Sequence, residues 1–380
     1  MKKVYLDNAA TTPMDAAVIE EMTSIMGNTF GNPSSIHAFG RATKAVIEQS
    51  RKKVAEKLNA LSGEIYFTSG GTESDNTAIR GLVSANNLTH IITTKIEHHA
   101  VGHTVEELER KGIVNVSYLD LDNGGQIDYG QLERLLENKG KETLVTLMHA
   151  NNEIGTLLDL EKVGNLCEEY GAILHSDTVQ TVGHYPIDVK KLKVHALVGS
   201  AHKLHGPKGV GFLYLRKGTK MDSLLTGGGQ EREMRSGTEN AYGIAGFAKA
   251  LEIAVNEQEE HIAQVKGVKQ YMIERLQQEI EGVRFNGISD QLEDTLYTVL
   301  NVSFPETPQK DMFLFMLDMK GIATSGGSAC SAGAQQGSHV LAGINADLNR
   351  INIRFSFSKM TTKEEIDYTV HQLKEILQKD

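Results

Sequence analysis

One stretch of the sequence, residues 200–211, places a lysine among residues that suit a covalently bound cofactor. Lys203 follows Ser200 and His202 and precedes several glycines, and the apolar run His195–Gly199 comes just before it. A short apolar run of this kind is typical of a buried strand, so Lys203 lies at the end of a predicted core strand. An amine there can form a Schiff base with an aldehyde cofactor, and its small polar neighbours can hold a phosphate. The alternative is a basic surface loop between two strands.

Two further side chains suit an aldehyde cofactor held by Lys203. Asp177 ends the predicted strand 172–177, and a carboxylate there can keep a pyridine nitrogen protonated, which makes pyridoxal phosphate an electron sink. His98 follows another predicted strand and can stack on the ring or carry protons, because imidazole titrates near neutral pH. Buried carboxylates are also common structural caps, and a single histidine at a strand end is often structural. Both interpretations stay open at this point.

The elements that would position these residues alternate between strand and helix. Such alternation predicts a mostly parallel sheet with helices on both faces, and ligands of such sheets bind at the carboxyl ends of the strands. Polar clusters follow four predicted strands, at 97–98, 151–153, 177–180 and 200–203. The predicted strands are 65–68, 90–96, 114–121, 143–149, 172–177, 195–199 and 209–215, and the predicted helices are 36–59, 101–111, 129–138 and 160–170.

A glycine turn offers a second place for a phosphate. Residues 69–76 join a short strand to a helix rich in Ala, Ile and Leu, so backbone N–H groups and the positive end of the helix come together there. The turn is neither G-x-G-x-x-G nor a P-loop, which argues against a dinucleotide or a nucleoside triphosphate.

The C-terminal third of the chain is predicted to form a smaller α/β domain. Two long helices, roughly 240–258 and 260–281, lead to it, and a capping box at Thr362 and Glu365 predicts the last helix. Its predicted strands are 297–304, 322–325 and 351–357. We therefore expect a large domain over residues 15–258 and a small domain formed by 1–14 and 259–380.

Composition and charge limit the compartments in which we expect the protein and the kinds of partner that we expect it to bind. The net charge of −10 argues against a general nucleic-acid surface, and no window of about 18 apolar residues predicts a membrane span. The start of the chain has the pattern of a strand rather than of a signal peptide, so we expect a cytoplasmic protein. Two cysteines, Cys167 and Cys330, cannot build a disulfide framework, which suits a reducing compartment.

Histidine pairs raise the alternative of a metal site. His99 and His103 have i,i+4 spacing, and His202 and His205 are neighbours in the sequence. No carboxylate or cysteine completes a recognisable ligand set around either pair, so we predict no metal site.

Eight motifs, spread in order over nearly the whole chain, resemble those of the cysteine desulfurase family of pyridoxal-phosphate enzymes. They are YLDNAATT at 5–12, FTSGGTESDN at 67–76, EH at 97–98, HANNEIG at 149–155, DTVQ at 177–180, SAHK at 200–203, RSGT at 235–238 and SAC at 328–330. The resemblance implies an α/β fold, that of fold-type I pyridoxal-phosphate transferases, with a mostly parallel seven-stranded sheet. It also implies a homodimer and the conversion of L-cysteine to L-alanine with removal of sulfur.

By the same resemblance, each contact of the cofactor has an assigned residue. The phosphate is assigned to Gly71, Thr72, Ser200 and His202, with Thr238 donated by the other subunit. The ring is assigned to Lys203 as the Schiff-base lysine, Asp177 at the pyridine nitrogen, Gln180 at the hydroxyl and His98 on the ring face as acid and base. The family has glycine where this chain has Ala201, which adds a methyl group close to the phosphate.

The resemblance also assigns the substrate contacts. Asn152, which also contacts the cofactor, and Arg354 match positions that bind the substrate carboxylate, a task that suits a planar guanidinium. Arg350 lies close by in the sequence and is the alternative clamp. Cys330 matches the cysteine that takes up sulfur as a persulfide, on a small-domain loop (325–336) of small residues that we expect to be mobile. Cys167, on a predicted helix, is expected to be a small buried residue instead.

The implied partner is a protein that accepts sulfur. The long segment between Cys330 and His339 resembles the group of the family that delivers sulfur to iron–sulfur scaffolds and tRNA-thiolation enzymes. Two other interpretations stay open: a different pyridoxal-phosphate lyase or transaminase of this fold, including one that prefers selenocysteine, and a non-catalytic sulfur carrier. A thiol on a flexible segment favours the desulfurase, and an intact Lys203 argues against the carrier.

Overall fold

The protein is described by a computed structural model, which covers residues 2–326 and 337–378. The strands in these ranges are β1 Val4–Tyr5, β2 Ile65–Thr68, β3 His90–Thr93, β4 Asn115–Tyr118, β5 Thr143–Thr146, β6 Ile173–Asp177, β7 Ala196–Ser200, β8 Gly211–Leu215, β9 Arg284–Phe285, β10 Val299–Phe304, β11 Ile322–Ala323 and β12 Ile351–Ser356. The α-helices are α1 Ala16–Asn28, α2 Ala38–Lys57, α3 Gly71–Asn86, α4 His99–Arg110, α5 Tyr129–Lys139, α6 Leu160–Tyr170, α7 Val189–Leu192, α8 Ala241–Asn256, α9 Gln258–Glu279, α10 Phe313–Met319, α11 His339–Gly343 and α12 Lys363–Leu377.

A seven-stranded sheet forms the centre of the larger part of the molecule. Its order is β2-β8-β7-β6-β5-β3-β4, and β8 alone runs antiparallel to its two neighbours. Successive strand residues such as Leu144 and Val145 belong to two different apolar cores, because side chains alternate between the faces of a sheet. Helices α3 and α4 cover one face, and α2, α6 and α8 cover the other. The predicted mostly parallel seven-stranded sheet is confirmed.

Local signals in the sequence set several helix ends. Helix α6 is found where it was predicted: the Asp159 side chain accepts from the N–H of Lys162 at its start, and Gly171 ends it with φ 72. Glycine adopts that left-handed conformation without the strain of a β-carbon. The capping box of Thr362 and Glu365 is also present at the start of α12.

A second core brings the two ends of the chain together. The antiparallel sheet β12-β10-β9 packs with α9 and α12, and β1 pairs in parallel with β11. Val4 and Leu6 are therefore buried in this core although they begin the chain. The division into domains at residues 15–258 stays a prediction.

Three predicted strands extend too far at their carboxyl ends. Strands β3, β4 and β5 end at Thr93, Tyr118 and Thr146, each three residues before the predicted end. After β3 the chain turns because the hydroxyl of Thr94 accepts from the N–H of Ile96, a local bond that competes with the sheet. Helices α1, α7, α10 and α11 and strand β9 were not predicted, and α1 buries only Val18.

No helix within residues 2–326 and 337–378 is long and apolar enough to cross a membrane.

Candidate active site

A cavity of about 220 Å³ lies where β6 and β7 end. Its lining includes ten of the twelve predicted site residues, namely Gly71, Thr72, His98, Asn152, Asp177, Gln180, Ser200, His202, Lys203 and Arg354. Ala9, Ala10, Asp75, Met148 and Val179 complete the lining. Residues from the start, middle and end of the chain therefore meet at the edge of the sheet where ligands of parallel sheets bind.

Lys203 lies in a single 3-10 turn that directly follows β7. Its Nζ donates to the carbonyl oxygens of Ala9 at 2.5 Å and Ala10 at 3.0 Å. The carbonyl of the preceding residue, His202, accepts from both the N–H and the hydroxyl of Thr12 at 2.9 Å. The N-terminal segment thus fixes the backbone around the lysine and holds its amine inside the cavity.

The glycine turn before α3 is shaped for a close ligand. Gly70 has φ +153, a conformation that L side chains rarely adopt, and a β-carbon on Gly71 would come 2.8 Å from Cγ2 of Val179. Glycine is therefore required at both positions. Gly70 also brings no side chain to cap α3, so the first N–H groups of this 16-residue helix suit a phosphate beside Ser200.

Asp177 and His98 differ from ordinary surface groups because both are largely buried. Burial raises the pKa of Asp177, although nearby His98, the N–H of Val179 and Lys203 counteract this. Burial lowers the pKa of His98, so the imidazole is neutral near pH 7. Its Nδ1 accepts from the N–H of Ala100 at 3.1 Å, so the neutral ring carries its proton on Nε2. A protonated pyridine nitrogen is the kind of cation that such a buried carboxylate fits.

Two buried carboxyl groups that the sequence analysis did not assign lie close to Asp177. Burial, followed by the charges of Asp177 and Glu97, raises the pKa of Asp75 well above its usual range. Burial raises the pKa of Glu97 to about 8, while the N–H of Met148 and the hydroxyl of Thr94 each donate to its Oε1 at 3.1 Å. Both acids stand inside motifs quoted above, at 67–76 and 97–98, which is the signal that could have identified them.

Asp75, on helix α3, is in contact with His175, a buried residue of strand β6. Nε2 of His175 lies 3.4 Å from Oδ1 of Asp75, and its Nδ1 lies 2.9 Å from the hydroxyl of Thr146. Burial lowers the pKa of His175 to about 3, so the ring is neutral. His175 therefore supplies no positive charge that would balance Asp75.

Arg354 reaches the cavity from strand β12. Its side chain is only 1% exposed, and it donates to Oδ1 of Asp7 at 2.8 Å and to the carbonyl of Asn152 at 3.0 Å. The other candidate, Arg350, instead donates to the hydroxyl and carbonyl of Ser303 and does not line the cavity. The geometry therefore favours Arg354 as a carboxylate-binding group.

The two remaining predicted residues are not in the cavity lining. Thr238 is exposed and lines a separate depression of about 130 Å³ together with Ser69 and Arg235. Cys330 lies outside the described residues. Cys167 is buried, and burial raises the pKa of its thiol to about 12, in agreement with its expected structural role.

The histidine pairs do not assemble a metal site in the part of the chain that the structure describes. No group of three or more His, Cys, Asp or Glu side chains in residues 2–326 and 337–378 is arranged to hold a metal ion. His99 and His103 instead stack with their ring centroids 4.6 Å apart.

Comparison with known proteins identifies the family. The profile of the family described as "Aminotransferase class-V" matches residues 4–369. A relative named "Cysteine desulfurase IscS" from Dictyoglomus turgidum is 44% identical over 383 aligned residues, which cover 100% of this chain and 95% of the relative.

Solved structures agree with this family. A structure named "NIFS-like protein" matches with a TM-score of 0.90 at 37% identity and covers 99% of both chains. Another, described as "SspA in complex with cysteine", matches with a TM-score of 0.81 at 32% identity and covers 95% of this chain and 100% of its own. The predicted fold-type I architecture and the predicted cofactor, pyridoxal phosphate, are confirmed. The chain belongs to the class-V aminotransferase family and, within it, to the cysteine desulfurases.

Proposed function

We propose that this protein removes sulfur from L-cysteine, releases L-alanine and carries the sulfur as a persulfide on Cys330. The observation that carries the proposal is the meeting of Lys203, Asp177 and Arg354 in one cavity. Together they supply an amine for the aldehyde of the cofactor, a carboxylate for its ring nitrogen and a guanidinium for an amino-acid carboxylate. The cysteine named in the description of the related SspA structure supports this substrate.

Some residues of the cavity are proposed to bind the cofactor and the substrate, and others to transfer protons. When bound, pyridoxal phosphate supplies an electron sink for the substrate carbon. Asp177 would hold the proton on the ring nitrogen, and the N–H groups of Gly71 and Thr72 at the start of α3 would bind the phosphate with Ser200 and His202. Gln180, whose amide donates to the carbonyl of Ala9 at 3.2 Å, would contact the ring hydroxyl.

Proton transfer needs a group that is neutral at working pH, and His98 meets this condition. Burial lowers its pKa, so the ring can accept a proton and return it. The thiolate of Cys330 attacks the sulfur of the substrate, and the carbon–sulfur bond breaks with its electron pair passing to carbon. That carbon takes a proton to give alanine, and Cys330 keeps the sulfur as a persulfide.

Replacing Cys330 separates a desulfurase from other enzymes of this fold. The variant C330S should keep the cofactor and bind cysteine, shown by its visible absorption, yet release neither alanine nor sulfide. C167A is the matched control, because Cys167 is buried in the core, and it should keep the activity. Undiminished sulfide release by C330S would rule out the persulfide step and leave a simple lyase as the better account.

We also propose a homodimer in which Thr238 contributes to the phosphate site of the partner. Thr238 is exposed and lies outside the cavity of its own subunit. An apolar surface with Phe30 77%, Ile36 91% and Phe39 60% exposed supports an interface, since such surfaces are usually covered in oligomers. Mixing K203A with T238A subunits creates sites with both lesions and sites with none, so activity should partly return. No recovery after proven subunit exchange would contradict the sharing of sites.

The proposed sulfur acceptor is a protein, either an iron–sulfur scaffold or a tRNA-thiolation enzyme. The support is the resemblance of the segment between Cys330 and His339 to that group of the family. The proposed compartment is the cytoplasm. Its support is the presence of only two cysteines, which cannot build a disulfide framework and so suit a reducing compartment. No direct contact with nucleic acid or membrane is proposed.

A further inference from the structure

One nitrogen of the Arg354 guanidinium, Nε, makes no hydrogen bond with the described part of the chain. Two of its nitrogens donate to Asp7 and to the carbonyl of Asn152, as described above. Nε is buried and finds no hydrogen-bond partner within residues 2–326 and 337–378. A buried donor without an acceptor is costly, so this N–H marks where an oxygen of an anionic ligand belongs. Arg354 lines the cavity, which is where such a ligand would lie.

Asp7 is held in place by contacts on two sides. Its Oδ1 accepts from Arg354 Nη2 at 2.8 Å and from the hydroxyl of Ser325 at 2.8 Å. Ser325 and Arg354 are also joined directly, because the N–H of Arg354 donates to the carbonyl of Ser325 at 2.7 Å. The backbone of Asp7 forms a bridge with Ser356 on strand β12. The aspartate therefore has little freedom to move, and neither has the guanidinium that it holds.

We propose that Asp7 is the positioning residue of the substrate-carboxylate site. It turns the guanidinium of Arg354 so that Nε faces the ligand. The inference rests on the proposed function, in which Arg354 binds the substrate carboxylate. Ser325, which lies five residues before Cys330 in the sequence, assists by fixing the carboxylate of Asp7.

The test compares two ligands of the holoenzyme that differ only in the carboxylate. L-alanine carries it and ethylamine lacks it, and binding of each is followed by the visible absorption of the cofactor. D7A should weaken alanine binding at least about tenfold, because a charge-assisted hydrogen bond is misaligned, and should leave ethylamine binding unchanged. D7N should bind alanine at least as tightly as the wild type, since its amide oxygen can still accept from Arg354 and Ser325 and no longer carries a competing negative charge.

Equal weakening of both ligands in D7A would indicate a general structural defect and overturn the inference. Alanine binding as weak in D7N as in D7A would also overturn the inference, because an oxygen at this position would then not be sufficient to orient Arg354. If D7A does not fold, S325A decides: it should weaken alanine selectively by about threefold, the order expected when one anchoring hydrogen bond is lost. Unchanged alanine binding in S325A would then reject the inference.

Two further variants separate this inference from the proposed function. R354A should lose the preference for alanine over ethylamine, and if it does not, the carboxylate site itself is wrongly assigned. If R354A loses that preference and D7A keeps it, Arg354 is confirmed as the carboxylate-binding residue and the positioning role of Asp7 is rejected. D15N is the matched control, because Asp15 pairs with Lys359 at 2.8 Å outside the cavity, and it should change neither affinity.

Discussion

Two parts of the cavity lining differ in their charges, and we call them the cofactor end and the substrate end after their proposed ligands. At the cofactor end Asp177 lies among buried acids, and at the substrate end Arg354 lies against a carboxylate of its own chain. Burial raises the pKa of Asp177, Asp75 and Glu97, so this end is stabilised by an added positive charge. Arg354 is already balanced by Asp7 at 2.8 Å. The first end suits a cofactor that stays bound, and the second suits a ligand that must exchange in every turnover. The difference predicts that the cavity holds its cofactor more tightly than its substrate.

The largest effect is expected from removing the charge at the cofactor end. D177N keeps the size of the side chain but cannot hold a proton on the ring nitrogen. Activity should fall at least about a hundredfold, the order found when a preorganised electrostatic contact is lost. Borohydride should still fix the cofactor to the peptide that contains Lys203, because the amine and the phosphate site remain. Steady-state rates and peptide mapping measure the two results.

D188N is the control for the loss of a carboxylate elsewhere. Asp188 caps α7 and does not line the cavity, so this variant should keep the wild-type rate. If D177N proved as active as D188N, the charge of Asp177 would not contribute to the rate of the reaction.

A smaller effect is expected on the stability of the apoprotein. Glu97 has a pKa of about 8 when folded, against a usual value of 4.5, so the folded state holds an extra proton between these values. Stability from this group is therefore present below pH 4.5 and is lost as pH rises to 8, by at most about 1.4 kcal/mol per pH unit for one proton. E97Q cannot ionise and should flatten this slope in denaturant unfolding between pH 6 and pH 8.

T94V is the matched variant for that measurement. It removes the hydroxyl that donates to Oε1 of Glu97 but leaves the ionisable group in place. The pH slope should therefore persist in T94V, even if its overall stability is lower. A slope as steep in E97Q as in the wild type would mean that Glu97 is not the group that titrates.

The cofactor end could be predicted well from the sequence because its residues follow strands. Asp177 and Ser200 are the last residues of β6 and β7, and His98 lies in the turn between β3 and α4. Parallel strands place their carboxyl ends at one edge whatever their order in the sheet. The strand order itself, with β8 antiparallel beside β7, was not needed to place these side chains together.

From the sequence by itself, the proposed amine, acid and base, Lys203, Asp177 and His98, could be placed close to the carboxyl ends of strands, although the predicted end of β3 was three residues too late. Only the tertiary structure decided how charges are balanced, because burial and pairing depend on which segments meet. Asp7 and Arg354 are 347 residues apart, and they meet because β1 pairs with β11 and the residue after Leu6 bridges to β12. No local periodicity records such a contact, and the pKa of Glu97 follows from enclosure by the folded chain rather than from its neighbours in sequence.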